Sequence, residues 1–135
     1  MKAGSELRLQ VSERAGRRCE YCLIHEEDSA FSHEVDHVIS IQHGGSTEPG
    51  NLAFACLFCN RFKGTNIASF DKSGVLVRLF DPRRCLWGDH FRLEGAVIEP
   101  LTPEGAVTAR LLKLNSSERV LERILLQRLG AYPRT

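Results

Sequence analysis

Cys19-Glu20-Tyr21-Cys22 and Cys56-Leu57-Phe58-Cys59 are two CxxC knuckles with residues 23–55 between them, and their pairing decides the fold. One CxxC loop lets two thiolates reach a single metal, so two loops supply the tetrahedral four-sulfur set that zinc takes. Four sulfurs close the coordination sphere, which makes such a zinc structural and couples its binding to folding. Four cysteines that merely pack, or a redox dithiol, are the alternatives. The opening stretch MKAGSELRLQ lacks the apolar segment of a secretory signal, and nowhere do about 18 uninterrupted apolar residues occur. A cytoplasmic, membrane-free location is therefore expected, and in that reducing compartment paired cysteines favour metal over disulfides. The fifth cysteine, Cys85, reads as a small buried hydrophobe.

The elements around the knuckles follow from local patterns. From Ser5 to Ala15, Leu7, Val11 and Ala15 recur at four-residue spacing, which predicts a short helix with Ser5 as its cap, ending near Gly16. Glu34 to Ile41 (EVDHVISI) reads as a strand stopped by Gly44-Gly45. Asn51 to Lys63 reads as a turn around Cys56 that enters a helix near Cys59. Val75 to Phe80 is a strand, and Phe91 to Glu99 a strand pair turning at Glu94-Gly95, together forming one small sheet. Thr102-Pro103 starts a helix to Leu112. Asn115 to Leu129 is a core helix with an apolar stripe of Val120, Leu121, Ile124, Leu125 and Leu129, a capping box of Asn115 with Glu118, and Gly130 and Pro133 as its stop. At 135 residues the chain suits one domain, with a motif core at about 18–64 and an extension at about 65–135.

A second set of polar residues surrounds the knuckles: Glu34, Asp36 and His37 on the expected strand, Asn51 after the glycine loop, and Asn60 directly after Cys59. In the order CEYC, EVDHVIS, HGGSTEPGNL and CLFCNRFKG, residues 18–64 resemble the HNH endonuclease family, in its four-cysteine subgroup and with the look of small stand-alone bacterial members. The resemblance implies an α+β, treble-clef-like ββα-metal fold braced by the zinc of Cys19, Cys22, Cys56 and Cys59, with a C-terminal extension of short strands and a helix. It implies that His37 is the general base that takes a proton from the attacking water. It also implies that Asp36 and Asn60 hold a catalytic Mg²⁺ or Mn²⁺, as their oxygen donors suit, and that Asn51 holds the loop and aims the histidine. Arg61 and Lys63 match phosphate-contacting positions. Two positions depart from the family: Ser40 stands where proline is frequent, and Asn60 where many members have histidine. Neighbouring strand residues point to opposite faces, so Asp36 and His37 can share a site only at a twisted strand end.

The remaining signals are weaker in kind. A net charge of +1 excludes a histone-like blanket of positive charge and leaves local clusters, Arg14-Arg17-Arg18, Arg61-Lys63 and Arg83-Arg84, as the means of nucleic-acid contact. His90, in Trp87-Gly-Asp-His-Phe91, is a candidate to line the site or touch phosphate. His33 and His43 read as exposed polar residues, and His25 as a neighbour of the knuckle. The expected partner is DNA, with RNA as an alternative, for a monomer or homodimer that hydrolyses phosphodiesters by one-metal catalysis. The competing reading is a zinc-braced nucleic-acid-binding module without catalysis, and a third is a zinc-ribbon adaptor, which leaves Asp36-His37 idle.

Overall fold

Helix α1 (Ser5–Arg14) begins one residue earlier than a serine cap would have it: Gly4 is the cap and makes no side-chain bond. Its apolar positions are set as the spacing requires, with Leu7 and Ala15 packed beside Val11 against Leu52 and Phe54. Arg14 fastens its end to the Pro49 and Leu52 carbonyls. The computed structural model that gives this architecture describes residues 4–134.

Strand β1 (Glu34–His37) is shorter than its sequence pattern. It ends because Ser40 opens a single 3₁₀ turn, Ile41–His43, closed by Gly44 at φ +87°, which only a residue without a Cβ adopts at no steric cost. The stretch expected to be a turn before Cys56 is instead strand β2 (Leu52–Ala55), buried at every residue. A strand covered on both faces loses the alternation that announces one. β2 pairs antiparallel with β1, His37 opposite Leu52 and Glu34 opposite Ala55. Helix α2 (Leu57–Lys63) follows at once, with the Cys56 sulfur as its N-cap, accepting from the Cys59 amide. β1, β2 and α2 form the ββα unit.

Beyond it, β3 (Ala68–Phe70) pairs with β4 (Leu76–Arg78), the single turn α3 (Trp87–His90) leads into β5 (Phe91–Glu94), and β5 pairs with β6 (Val97–Pro100). The hairpin turns at Gly95 as its sequence predicts, but the strands do not merge into one sheet: three separate two-stranded ladders form among the described residues. Helix α4 (Pro103–Leu111) is capped by Thr102, whose hydroxyl accepts from the Gly105 amide at 3.0 Å. Gly105 is obligatory, since a Cβ there would lie 2.4 Å from the His90 carbonyl oxygen.

Helix α5 (Ser117–Arg128) has the opposite orientation to the one its pattern predicts. The buried side chains are Arg119 and Arg123, whereas Leu121, Leu125 and Leu129 are 55%, 49% and 79% exposed. Arg123 donates to the Ala96 carbonyl and to Asn115, and Arg119 to the Leu112 carbonyl. Asn115 is no cap either: its amide bridges both backbone groups of Ile98, and Ser116 takes the cap position. Buried backbone carbonyls need donors, and the arginines supply them. One apolar cluster runs through both halves of the chain, from Tyr21, Val38 and Ala53 to Phe80, Phe91, Ile98 and Leu112. Among the described residues no helix is long and apolar enough to cross a membrane.

Candidate active site

The four cysteine sulfurs all lie within 4.8 Å of one another and all four residues are buried. Cys22 and Cys56 have Sγ atoms 3.7 Å apart, far beyond a disulfide bond and close to the ~3.8 Å edge of a tetrahedron with Zn–S bonds of about 2.3 Å. The cluster therefore suits a structural zinc. The Tyr21 and Cys22 amides point at Cys19 Sγ and the Cys59 amide at Cys56 Sγ, each at 3.4 Å, as expected where thiolate charge has to be held. Burial pushes the Cys19 and Cys59 thiols up, while hydrogen bonds from the other cysteines pull Cys22 down. Arg119 completes the surroundings by donating to Cys59 Sγ at 3.0 Å and Cys56 Sγ at 3.6 Å. Burial opposes its charge, but the sulfurs hold it protonated.

Beside this cluster a cleft of about 320 Å³ is lined by Asp36, His37, Ser40, Asn60, Gly64 and Thr65 among others. Asp36 and His37 thus reach one cleft from adjacent strand positions, because His37 is the last residue of β1 and the chain turns away after it. Asp36 is 4% exposed. Its Oδ2 accepts from the Tyr21 hydroxyl at 2.8 Å and its Oδ1 from the Lys63 ammonium at 3.2 Å. Burial pushes the carboxyl above its ordinary value, against the pull of Lys63 and Tyr21. The Tyr21 hydroxyl stays protonated, raised by burial and by the carboxylate it serves.

Lys63 lies elsewhere than on a phosphate-facing surface. It is 1% exposed, and its ammonium also donates to the His37 carbonyl at 3.0 Å. A buried carboxylate requires a partner charge, and Lys63 is turned inward to provide it. Asn60 gives its amide nitrogen to Glu34, which leaves its carbonyl oxygen as the free donor atom. Asp36 retains a second lone pair on each oxygen. These hard oxygen donors fit a magnesium-like ion better than a soft metal.

His37 is held by the loop that follows it. Its Nε2 lies 3.0 Å from Thr47 Oγ1; in the tautomer whose Nε2–H donates to that hydroxyl, the lone pair is on Nδ1. Burial keeps the imidazole below its ordinary value despite Asp36. Asn51 fastens the same loop with three bonds: its Oδ1 accepts from the Ile39 amide, and its Nδ2 donates to the Ile39 and Ser46 carbonyls at 2.9 and 2.8 Å. A Cβ on Gly45 would sit 1.7 Å from the Ile39 oxygen, so the second glycine of HGGS is what lets the Asn51 bridge close.

Thr47 and Tyr21 escape sequence reasoning, although each neighbours a motif residue, in STEPGN and inside CEYC. His90 is outside the cleft: its Nδ1 bonds Thr102 at 2.6 Å and its ring packs on Phe80. His33, expected on the surface, is buried, with Nε2 2.8 Å from the Ile24 carbonyl oxygen. His25 caps a 3₁₀ turn, Glu26–Asp28. The basic clusters are largely occupied internally, Arg17 with Glu26, Arg18 with the Arg134 carbonyl, Arg83 with Glu20 and Arg84 with Asp81. Arg61, exposed on α2, has no ion-pair partner among the described residues.

Residues 19–66 match the family model described as HNH endonuclease, a span that holds the four cysteines and the cleft residues but not Arg119. No curated protein and no solved structure matches the chain.

Proposed function

We propose that this HNH-family chain is a metal-dependent endonuclease that hydrolyses phosphodiester bonds of DNA. The observation that carries the reading is the cleft itself, lined by Asp36 and His37 at the end of β1 and by Asn60 in the middle of α2. His37 acts as general base through Nδ1, taking a proton from water aligned with the phosphorus. Thr47 and Asn51 position the ring and its loop. Asp36 and Asn60 hold a Mg²⁺ or Mn²⁺ ion, which when bound stabilises negative charge on the phosphate and the leaving oxygen. Lys63 and Tyr21 keep the Asp36 carboxylate oriented, and Arg61 meets the phosphate backbone without reading sequence. The apolar cluster shared by both halves supports treating residues 1–135 as one unit. Four cysteines grouped as a zinc-type cluster rather than paired in disulfides fit a cytoplasmic setting.

A second reading, a zinc-braced binding module, draws on Lys63, whose buried ammonium pairs with Asp36 and so gives that carboxylate a counter-charge from the protein itself. Nicking of supercoiled plasmid by zinc-loaded protein, with Mg²⁺, Mn²⁺ or neither, separates the two. The endonuclease reading expects metal-dependent nicking that falls by about 10²–10⁴ in His37→Ala, with zinc content and fold unchanged. Binding without nicking under every condition would favour the module, and nicking that survives in His37→Ala would remove His37 from the mechanism.

A further inference from the structure

The outward face of α5 carries Leu121 and Leu125, each about half exposed, and the stripe continues to the C-cap residue Leu129. Single exposed leucines need no explanation, but a stripe along one helix face is the signature of a surface awaiting a partner. The residues that flank the stripe say which partner. Glu118 lies one turn before Leu121 and Arg128 lies one turn beyond Leu125, both exposed and on the same face by helical periodicity.

We propose that α5 pairs antiparallel with α5 of a second copy of this chain, about a two-fold axis that passes at the level of Arg123. In that arrangement each Leu121 lies against Leu125 of the other copy, and each Glu118 meets Arg128. The seam is self-complementary, which is what an isologous interface requires: the same patch, read backwards with the charges exchanged, is its own partner. The parallel alternative places Glu118 on Glu118 and Arg128 on Arg128, a repulsion on both sides of the Leu121–Leu125 pair. Helix dipoles favour the antiparallel pair as well. An unrelated partner gives no reason for the charges to invert about the midpoint of Leu121 and Leu125. The helix has only 12 residues, about 18 Å of length, so the association is weak and reversible rather than obligate.

Sedimentation of the zinc-loaded full chain over a wide range of concentration tests this. The wild type is expected to move from monomer to dimer as concentration rises, and Leu121→Gln/Leu125→Gln to remain monomeric throughout. Both leucines are already half exposed, so that variant keeps its zinc content and circular dichroism. Glu118→Arg alone and Arg128→Glu alone each create two like-charge contacts across the axis, and each is expected to weaken the dimer about tenfold or more. The combined variant restores complementarity and regains dimerisation. A wild type that stays monomeric, a dimer untouched by the leucine substitutions, or a double charge variant that fails to regain what the singles lose would each overturn the proposal.

Discussion

Two polar clusters sit side by side in the ββα unit, one of sulfur and one of oxygen and nitrogen, and they are built on opposite terms. Every sulfur is buried, and those of Cys19, Cys56 and Cys59 are approached by backbone amides or a guanidinium. In the cleft His37 is only partly buried, one of its ring nitrogens is anchored, and a cavity of about 320 Å³ lies in front of it. A sphere of donors with no opening can hold an ion but offers reactants no entry; a set with unused lone pairs facing a cavity can receive them. Each cluster also has one buried cation, and their origins differ. Lys63 comes from α2, inside the motif, while Arg119 comes from α5 in the extension. The charge balance of the cleft is therefore local, and that of the sulfur cluster depends on distant chain.

The comparison breaks first at the zinc. Removal of the metal by a strong chelator, or Cys56→Ser, is expected to unfold the chain, because a structural zinc is worth about 10–16 kcal/mol, at or above the 5–15 kcal/mol or so of a typical domain. Far-UV circular dichroism reads this, and a chelated protein with an unchanged melting curve would show that the sulfurs do not carry the fold. A smaller effect sharpens the account of the cleft. Lys63→Met strands the Asp36 carboxylate in the interior and is expected to cost about 3–5 kcal/mol in urea unfolding, whereas adding Asp36→Asn should restore most of it. Equal losses in single and double variants would mean that packing, not charge, is what Lys63 provides. The smallest effect concerns pH. A base must be neutral to accept a proton, and burial lowers the His37 value. Nicking should therefore hold steady through neutral pH and decline only as acidity passes below the ordinary histidine value of about 6.5. A decline already above that value in the pH profile of kcat/KM would contradict the burial argument.

The features readable in the sequence are those fixed by local geometry. The CxxC spacing brings paired sulfurs together whatever follows. Glu94-Gly95 has to turn, Thr102-Pro103 has to begin a helix, and the observed elements agree. What sequence could not supply is the orientation set by demands arising elsewhere in the chain. Periodicity assigns leucines to the inside of α5, but the thiolates of Cys56 and Cys59 and the carbonyls of Ala96 and Leu112 need donors, and Arg119 and Arg123 face them. Lys63 obeys the same logic toward Asp36. β2 was hidden because burial on both faces erases alternation. In the cleft, Asp36, His37 and Asn60 could be named from their motif, but Thr47 and Tyr21 are identified only by what they touch.

Arg119 gives the order of assembly a direction. Translation delivers the N-terminus first, so the last of the four sulfurs leaves the ribosome 60 residues ahead of the guanidinium that faces it. At about 5–20 residues per second that lag is roughly 3–12 s. Phe80, Phe91 and Leu112, which belong to the same apolar cluster as the four cysteines, arrive in the same interval. The nascent chain thus passes through a stage in which all its zinc ligands are available while their counter-charge and apolar cover are still unmade. In that stage the thiols lack the cover that the extension later gives them.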